Sequence, residues 1–232
     1  MPTTPWIMVQ KWHDLLFAHW TVPVEKLRSL VPRELELDLY EGKAYVAVAP
    51  FWMSGIRGRG MPPFPGVHTF PELNVRTYVS YQGIPGVYFF SLDAASRIAV
   101  EGARRFYGLP YFFARMSVHN KTERLEYASS RIDHPQPAEL RARYWPVAEP
   151  RVRELKSLES FLTDRYCLYT VDRTKVFRAY IHHLPWPLQD ADAEFQVNTM
   201  ARAAGLELPD EKPLLHFSRL LEVLVWWPQR VG

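Results

Sequence analysis

The sequence holds a single cysteine, Cys167, which excludes an internal disulfide and fits a reducing, cytoplasmic location. It has no C-x-x-C pair and no H-E-x-x-H, so no zinc site is spelled out; neither a metal nor a cofactor is expected. Long apolar runs are missing too. The stretch Leu220 to Trp227 is broken by Glu222 and stopped by Pro228, far short of a bilayer span. No basic start is followed by an apolar run, which predicts no secretory leader. Charge of one sign is also scarce. Twenty-eight basic residues against 25 acidic ones leave +3, dispersed along the chain, with no nucleic-acid footprint. No Gly-Lys-Ser/Thr phosphate loop, G-x-G-x-x-G turn or G-x-S-x-G elbow occurs. Nucleic acid and membrane are therefore not expected as partners, and the oligomeric state stays open.

What is present is a chain of 232 residues, 47% hydrophobic and 14% aromatic, punctuated by 20 prolines. Its apolar runs are short and β-rich, and no linker or repeat divides them, so residues 1–232 read as one mainly β (α+β) domain, rich in antiparallel strands. Leu73 to Gln82 alternates most regularly, and Val87 to Leu92 follows across the turn Gly83 to Gly86. Glu34 to Tyr40 and Ala44 to Met53 read as a hairpin around Glu41-Gly42. Further strands are predicted at 111–119, 125–132, 139–145, 166–171, 176–182 and 214–226, with a turn near 120–124. Helices are predicted at 24–31, between Pro23 and Pro32, and from Ser96 to Gly108, with Ile98, Ala99, Ala103 and Phe106 apolar. Two more are predicted, at 157–163 and at 193–204, the latter closed by Gly205.

Three segments offer chemistry. Period two puts Glu72, Asn74, Arg76 and Tyr78 on one side of one strand: an acceptor, an amide, a fixed cation and a phenol. An arginine fork suits a carboxylate. Alternation does not say whether that side is wet or enclosed. In the second segment Tyr111, Phe113 and Arg115 share a face, either to recognise an anion or to lay a structural arginine over rings. The third is the loop Gly55 to Gly66, whose Arg57 and Arg59 could meet an anion, against the plainer reading of a proline-stiffened surface connection. The pair His182-His183 points to opposite strand faces and cannot clamp one ion. Cys167, within Tyr166-Cys-Leu-Tyr-Thr170, reads as a buried inert thiol, with a Cys–His nucleophile as the alternative.

Several segments resemble the YqjF-like proteins, a family of unknown function: Leu16-Phe-Ala-His-Trp20, Leu30-Val-Pro32, Phe70 to Tyr78, Phe89 to Asp93, Arg104 to Tyr111 and His183-Leu-Pro-Trp-Pro-Leu188. The resemblance covers nearly the whole chain. It implies an acetoacetate decarboxylase-like fold: an antiparallel β-barrel or cone around a ligand cavity, with flanking sheet and a few short helices. In that enzyme a lysine after a proline forms a Schiff base, and a second lysine follows it. By motif both should follow Gly108-Leu-Pro110, where this chain has Tyr111 and Phe112. Neither side chain can form an iminium. The other lysines (Lys11, Lys26, Lys43, Lys121, Lys156, Lys175 and Lys212) lie near turns, element ends or polar surroundings.

The resemblance thus implies a protein that binds a small organic acid or carbonyl compound without Schiff-base chemistry. Arg76 and Arg115 would hold the anion, Glu72 would orient or exchange a proton, and Tyr78 with Tyr111 would line the pocket. Whether it is an enzyme stays open. A lysine-independent lyase or hydratase is one alternative. Another is a non-catalytic sensor or protein-interaction module acting through Trp226-Trp227 or the Arg57/Arg59 loop.

Overall fold

The computed structural model describes residues 2–63, 67–121, 124–132, 134–151 and 153–232. Residues 64–66 of the predicted loop and 122–123 of the predicted turn lie outside the described residues. Among the described residues the chain forms a 13-stranded sheet and three α-helices. The order begins with β1 (Met8–Val22), α1 (Val24–Leu30), β2 (Glu36–Leu37), β3 (Ala44–Gly58), β4 (Thr69–Tyr81), β5 (Ile84–Ala94), α2 (Arg97–Tyr107) and β6 (Tyr111–Lys121). It continues with β7 (Arg124–Arg131), β8 (Glu139–Pro146), α3 (Leu158–Thr163), β9 (Cys167–Asp172), β10 (Lys175–His182), β11 (Gln189–Asn198), β12 (Leu214–Val225) and β13 (Gln229–Arg230). No described helix is long and apolar enough to cross a membrane.

The sheet closes twice. Pairing of β4 with β5 completes a ring of nine strands, β5-β6-β7-β8-β11-β12-β1-β3-β4. Pairing of β10 with β12 completes a second ring of seven, β12-β1-β3-β4-β5-β9-β10. The two rings share β12, β1, β3, β4 and β5, so one face of each shared strand looks into one ring and the other face into the other. Leu16, Ala18, Val46, Val48, Leu73 and Val75 face the larger ring, where they pack with Leu125, Tyr127, Leu140 and Tyr144. Phe17, Ala47, Ala49, Glu72, Asn74 and Arg76 therefore face the smaller one. Tyrosines brace the wall between them. Tyr127 donates to the carbonyls of Glu72 (2.7 Å) and Phe51, and Tyr144 donates to that of Asp14 (2.9 Å).

The regular alternation of β4 is a strand flanked on both sides. Tight turns set its neighbourhood: Glu41 and Gly42 at φ 49° and 77°, and Gln82 and Gly83 at φ 51° and 73°, the signs that a two-residue hairpin connection needs. Asp14, at φ 49°, bulges β1, so Trp12 and Met8 join Leu15 and Phe17 on the small-ring side.

Several expectations need correction. The helix predicted at 193–204 is mostly β11, paired with β8; only residues 202–204 turn, as a short 3-10 segment ended by Gly205. Period two in fact runs through Ala191, Ala193 and Phe195, which pack on the large-ring core, against Asp190, Asp192 and Glu194. Residues 34–40 do not pair along β3: Glu36 and Leu37 join β4 instead, and only a Tyr40–Lys43 bridge closes the turn. Ile98 and Phe106 are 67% and 59% exposed, because α2 rests on the sheet through Val100. Trp226 is buried, its Nε1 donating to the Thr4 carbonyl, so only Trp227 of that pair is available at the surface. The long β1 was not foreseen.

Candidate functional site

Glu72, Asn74, Arg76 and Tyr78 are 4%, 5%, 8% and 1% exposed: the polar side of β4 is enclosed. Cross-strand pairing fixes what stands beside each residue. Glu72 lies between Phe51 and Ala94, Asn74 between Ala49 and Leu92, and Arg76 between Ala47 and Phe89. Two small residues on β3 thus stand beside Arg76 and Asn74.

Tyr111 is brought in by α2. Ser96 caps the helix by accepting from the Ala99 N–H, and Gly108 ends it at φ 63°, a conformation that favours glycine. The chain then enters β6 parallel to the end of β5, with Tyr111 beside Leu92. Arg104 Nε donates to the Tyr111 carbonyl at 2.7 Å, and the Tyr111 hydroxyl donates to Glu72 Oε2 at 2.7 Å. Burial pushes the Glu72 carboxyl up to about 8, outweighing the Tyr111 hydrogen bond that favours the carboxylate. Burial and the neighbouring Glu72 also raise the Tyr111 phenol well above its ordinary value, so it holds its proton.

Arg115 does not join this group. It shares parity with Tyr111 and Phe113 but is exposed. Beyond Phe113, β6 leaves β5 and pairs with β7, while the small ring continues through β9, so that face of β6 opens to water.

The site has members that sequence reasoning passed over. The Arg76 guanidinium stands 5.2 Å from the Phe17 ring centroid; His19 stacks on Phe17 at 6.0 Å, and Trp186 meets Phe17 edge-on at 4.9 Å. Tyr78 donates to the Leu162 carbonyl at 2.8 Å, and His19 Nε2 is 2.6 Å from the same phenol oxygen. His216 pairs across β12 with Phe17, and His183 packs on Trp186. Burial pushes all three imidazoles down, His19 well below the ordinary value with Arg76 adding to it, and His183 to about 4. They are neutral near pH 7. Alternation of Phe17 and His19 against Leu16, Ala18 and Trp20 was the available signal, hidden because both sides of β1 are apolar.

Arg76 is the outlying charge of this interior. Among the described residues no carboxylate pairs with it, and its Nε has no acceptor. Asp93 faces the large ring, bound by Arg131 at 2.7 and 2.9 Å, and Glu72 is protonated near neutrality. Asn74 Oδ1, His19 Nδ1 and His216 Nδ1 are likewise buried without a protein partner. All seven lysines are exposed, so no lysine amine lies in this interior.

Elsewhere, Glu159, Asp190 and His216 bring ligand-type atoms within 4.8 Å of one another. Arg151 already occupies that place, donating to both Glu159 oxygens at 2.6 and 2.7 Å and to Asp190 at 2.8 Å. A surface groove of about 440 Å³ runs beside Leu184, Pro185, Pro187 and Leu220. Its lining is mainly aliphatic, with Lys11 opposite Glu222, and it holds none of the unpartnered polar atoms.

A family model, DUF2071, described as "Uncharacterized conserved protein (COG2071)", matches residues 9–222. The uncharacterized protein YqjF of Bacillus subtilis (strain 168) is 49% identical over 226 residues, 97% of this chain and 93% of that protein. Among solved structures, acetoacetate decarboxylase from Legionella pneumophila subsp. pneumophila str. Philadelphia 1 is similar with a TM-score of 0.69 at 15% identity, over 100% of this chain and 90% of that one. The enduracididine biosynthesis enzyme MppR complexed with pyruvate is similar with a TM-score of 0.66 at 12% identity, over 100% and 92%. At such identities the likeness is one of fold: the chain has the acetoacetate decarboxylase-like fold.

Proposed function

The chain belongs to the DUF2071 family of uncharacterized conserved proteins, and from its interior we propose that it binds a small carboxylate inside the seven-strand ring. The observation that carries this reading is Arg76, a buried guanidinium with no carboxylate partner among the described residues. With Glu72 protonated and the three histidines neutral near pH 7, Arg76 leaves this interior one positive charge. Burying such a charge is costly unless it is paired, and a carboxylate matches the guanidinium fork in charge and in shape. Phe17 beneath Arg76, and Ala47 and Ala49 beside it, suit a ligand of a few carbons. The pyruvate complex of MppR, a protein of the same fold, supports the chemical class.

Glu72, four residues before Arg76 on β4, and Tyr111, at the start of β6, form the protonated end of the site. The carboxyl, at about 8, can pass a proton near neutrality, whereas the phenol positions it. Arg115 has no part in this reading. Because the amines are all at the surface, a Schiff base is not a step here.

The test is thermal shift of the full chain against acetate, propionate, pyruvate, acetoacetate and lactate, in parallel with Arg76→Met. At least one acid should raise the midpoint of the native chain and none that of the variant. A shift equal in both would move the ligand away from Arg76. Incubation with acetoacetate and borohydride should add no mass; an adduct on lysine would overturn the amine-free reading.

A further inference from the structure

We infer that the acid held at Arg76 is a hydroxy acid: a small carboxylate that also brings an O–H donor to the imidazoles of His19 and His216. This rests on the reading of Arg76 as carboxylate anchor and adds the ligand's second functional group.

The tautomers follow from the partners. Tyr78 has one phenolic proton, and the Leu162 carbonyl, 2.8 Å away, can only accept it. His19 Nε2, 2.6 Å from the same oxygen, must therefore be the donor in that contact. A neutral imidazole has one N–H, so His19 Nδ1 carries a bare lone pair. His216 repeats the arrangement. Its Nε2 faces Glu159 Oε1 at 3.5 Å, which places the N–H there and leaves Nδ1 bare. Both Nδ1 atoms are buried and have no hydrogen-bond partner among the described residues, and Asn74 Oδ1 is in the same condition.

These atoms share one side of the sheet. His19, Ala47 and Arg76 form one cross-strand row, and His216 stands opposite Phe17, whose ring meets both the Arg76 guanidinium and the His19 ring. Within that row alanine separates His19 from Arg76, and Phe89 follows Arg76 on β5. A ligand with its carboxylate on Arg76 thus shares this side of the sheet with bare acceptors.

An oxo acid offers acceptors only and leaves both imidazole nitrogens unpaired in a site from which water has been displaced. A hydroxyl pairs one of them, and sites built to bond a hydroxyl reject analogues lacking it. An ammonium would also donate. It would, however, put a second cation beside Arg76, while Glu72 is protonated near neutrality and the Glu159 carboxylate is already held by Arg151.

The experiment is calorimetric titration of the full chain with matched pairs, lactate against pyruvate and 3-hydroxybutyrate against acetoacetate, with alanine as the ammonium analogue. Each hydroxy acid should bind about tenfold or more tightly than its oxo partner. The ratio should fall towards one in whichever of His19→Phe and His216→Phe removes the acceptor that the hydroxyl uses, and in the double variant, and Arg76→Met should lose both acids. Should either histidine variant not fold, the other variant and the native ratio still decide. Oxo acid or alanine binding as tightly as the hydroxy acid, with Arg76 still required, would overturn the hydroxyl inference and leave the carboxylate site standing. No binding by any of these acids, or binding indifferent to Arg76→Met, would overturn the underlying reading and this inference with it.

Discussion

The Tyr111 hydroxyl donates a 2.7 Å hydrogen bond to Oε2 of Glu72, joining the first residue of β6 to the enclosed side of β4. Both groups hold their protons near neutrality, so the contact joins a phenol to a carboxyl group rather than to a carboxylate.

Glu72 has a pH signature. Its carboxyl is raised to about 8 in the fold, from about 4.5 when exposed, so the folded chain holds this proton more tightly than the unfolded one. Its contribution to stability is complete below pH 4.5 and is lost as pH rises through 8. Glu72→Gln keeps an acceptor for Tyr111 and cannot ionise. Urea unfolding should show the two chains similar at pH 5 and the variant more stable at pH 9, by up to about 4 kcal/mol. The histidines act oppositely. His19, His183 and His216 are depressed, so their contribution is present above pH 6.5 and lost as pH falls towards 4, equally in both chains.

Arg76→Met should separate ligand binding from stability. Removing a buried cation that has no carboxylate partner, only a contact with the Tyr78 hydroxyl, while keeping its apolar stem is expected to leave the ligand-free chain as stable or more so, by about 1–3 kcal/mol. Urea midpoints measure this. A large loss of stability would mean that Arg76 has a structural partner, contrary to its place in the site.

Much of this site was legible from alternation alone. Glu72, Asn74, Arg76 and Tyr78 share a face because a strand has period two, and Gly108 followed by Pro110 marked where α2 must stop. Which face is enclosed was not legible, since it depends on β9 and β10 closing a ring with strands far away in sequence. Arg115 shows the same limit: its parity is that of Tyr111, but β6 changes partners after Phe113. β1 was missed because both its faces are buried, so no wet side marks its period. Residues 193–204 misled through a run of alanines and a closing glycine, although Ala191, Ala193 and Phe195 carry the strand period.

The large ring has its own buried ion pair. Arg131 grips Asp93 with two hydrogen bonds, at 2.9 and 2.7 Å, with Phe112 3.8 Å from the guanidinium. Their side chains are 2% and 0% exposed. Arg131→Met alone leaves Asp93 buried and unpaired and should cost about 3–5 kcal/mol, whereas Arg131→Met with Asp93→Leu should recover most of that. Chemical denaturation of the three chains checks it.

Gly86 marks a close approach of β5 to β9. A Cβ there would lie 2.7 Å from a Tyr169 ring carbon and 2.8 Å from both the Cys167 carbonyl oxygen and sulfur. The carbonyl cannot yield without moving β9. Gly86→Ala should therefore destabilise by about 1–3 kcal/mol, read from the thermal or urea midpoint.

The most direct measurement is a crystal structure of the full chain grown with lactate. The account predicts the carboxylate within hydrogen-bond distance of the Arg76 guanidinium and the hydroxyl on Nδ1 of His19 or His216, inside the seven-strand ring. Lactate bound instead in the surface groove beside Leu184 and Leu220, with Arg76 untouched, would contradict it.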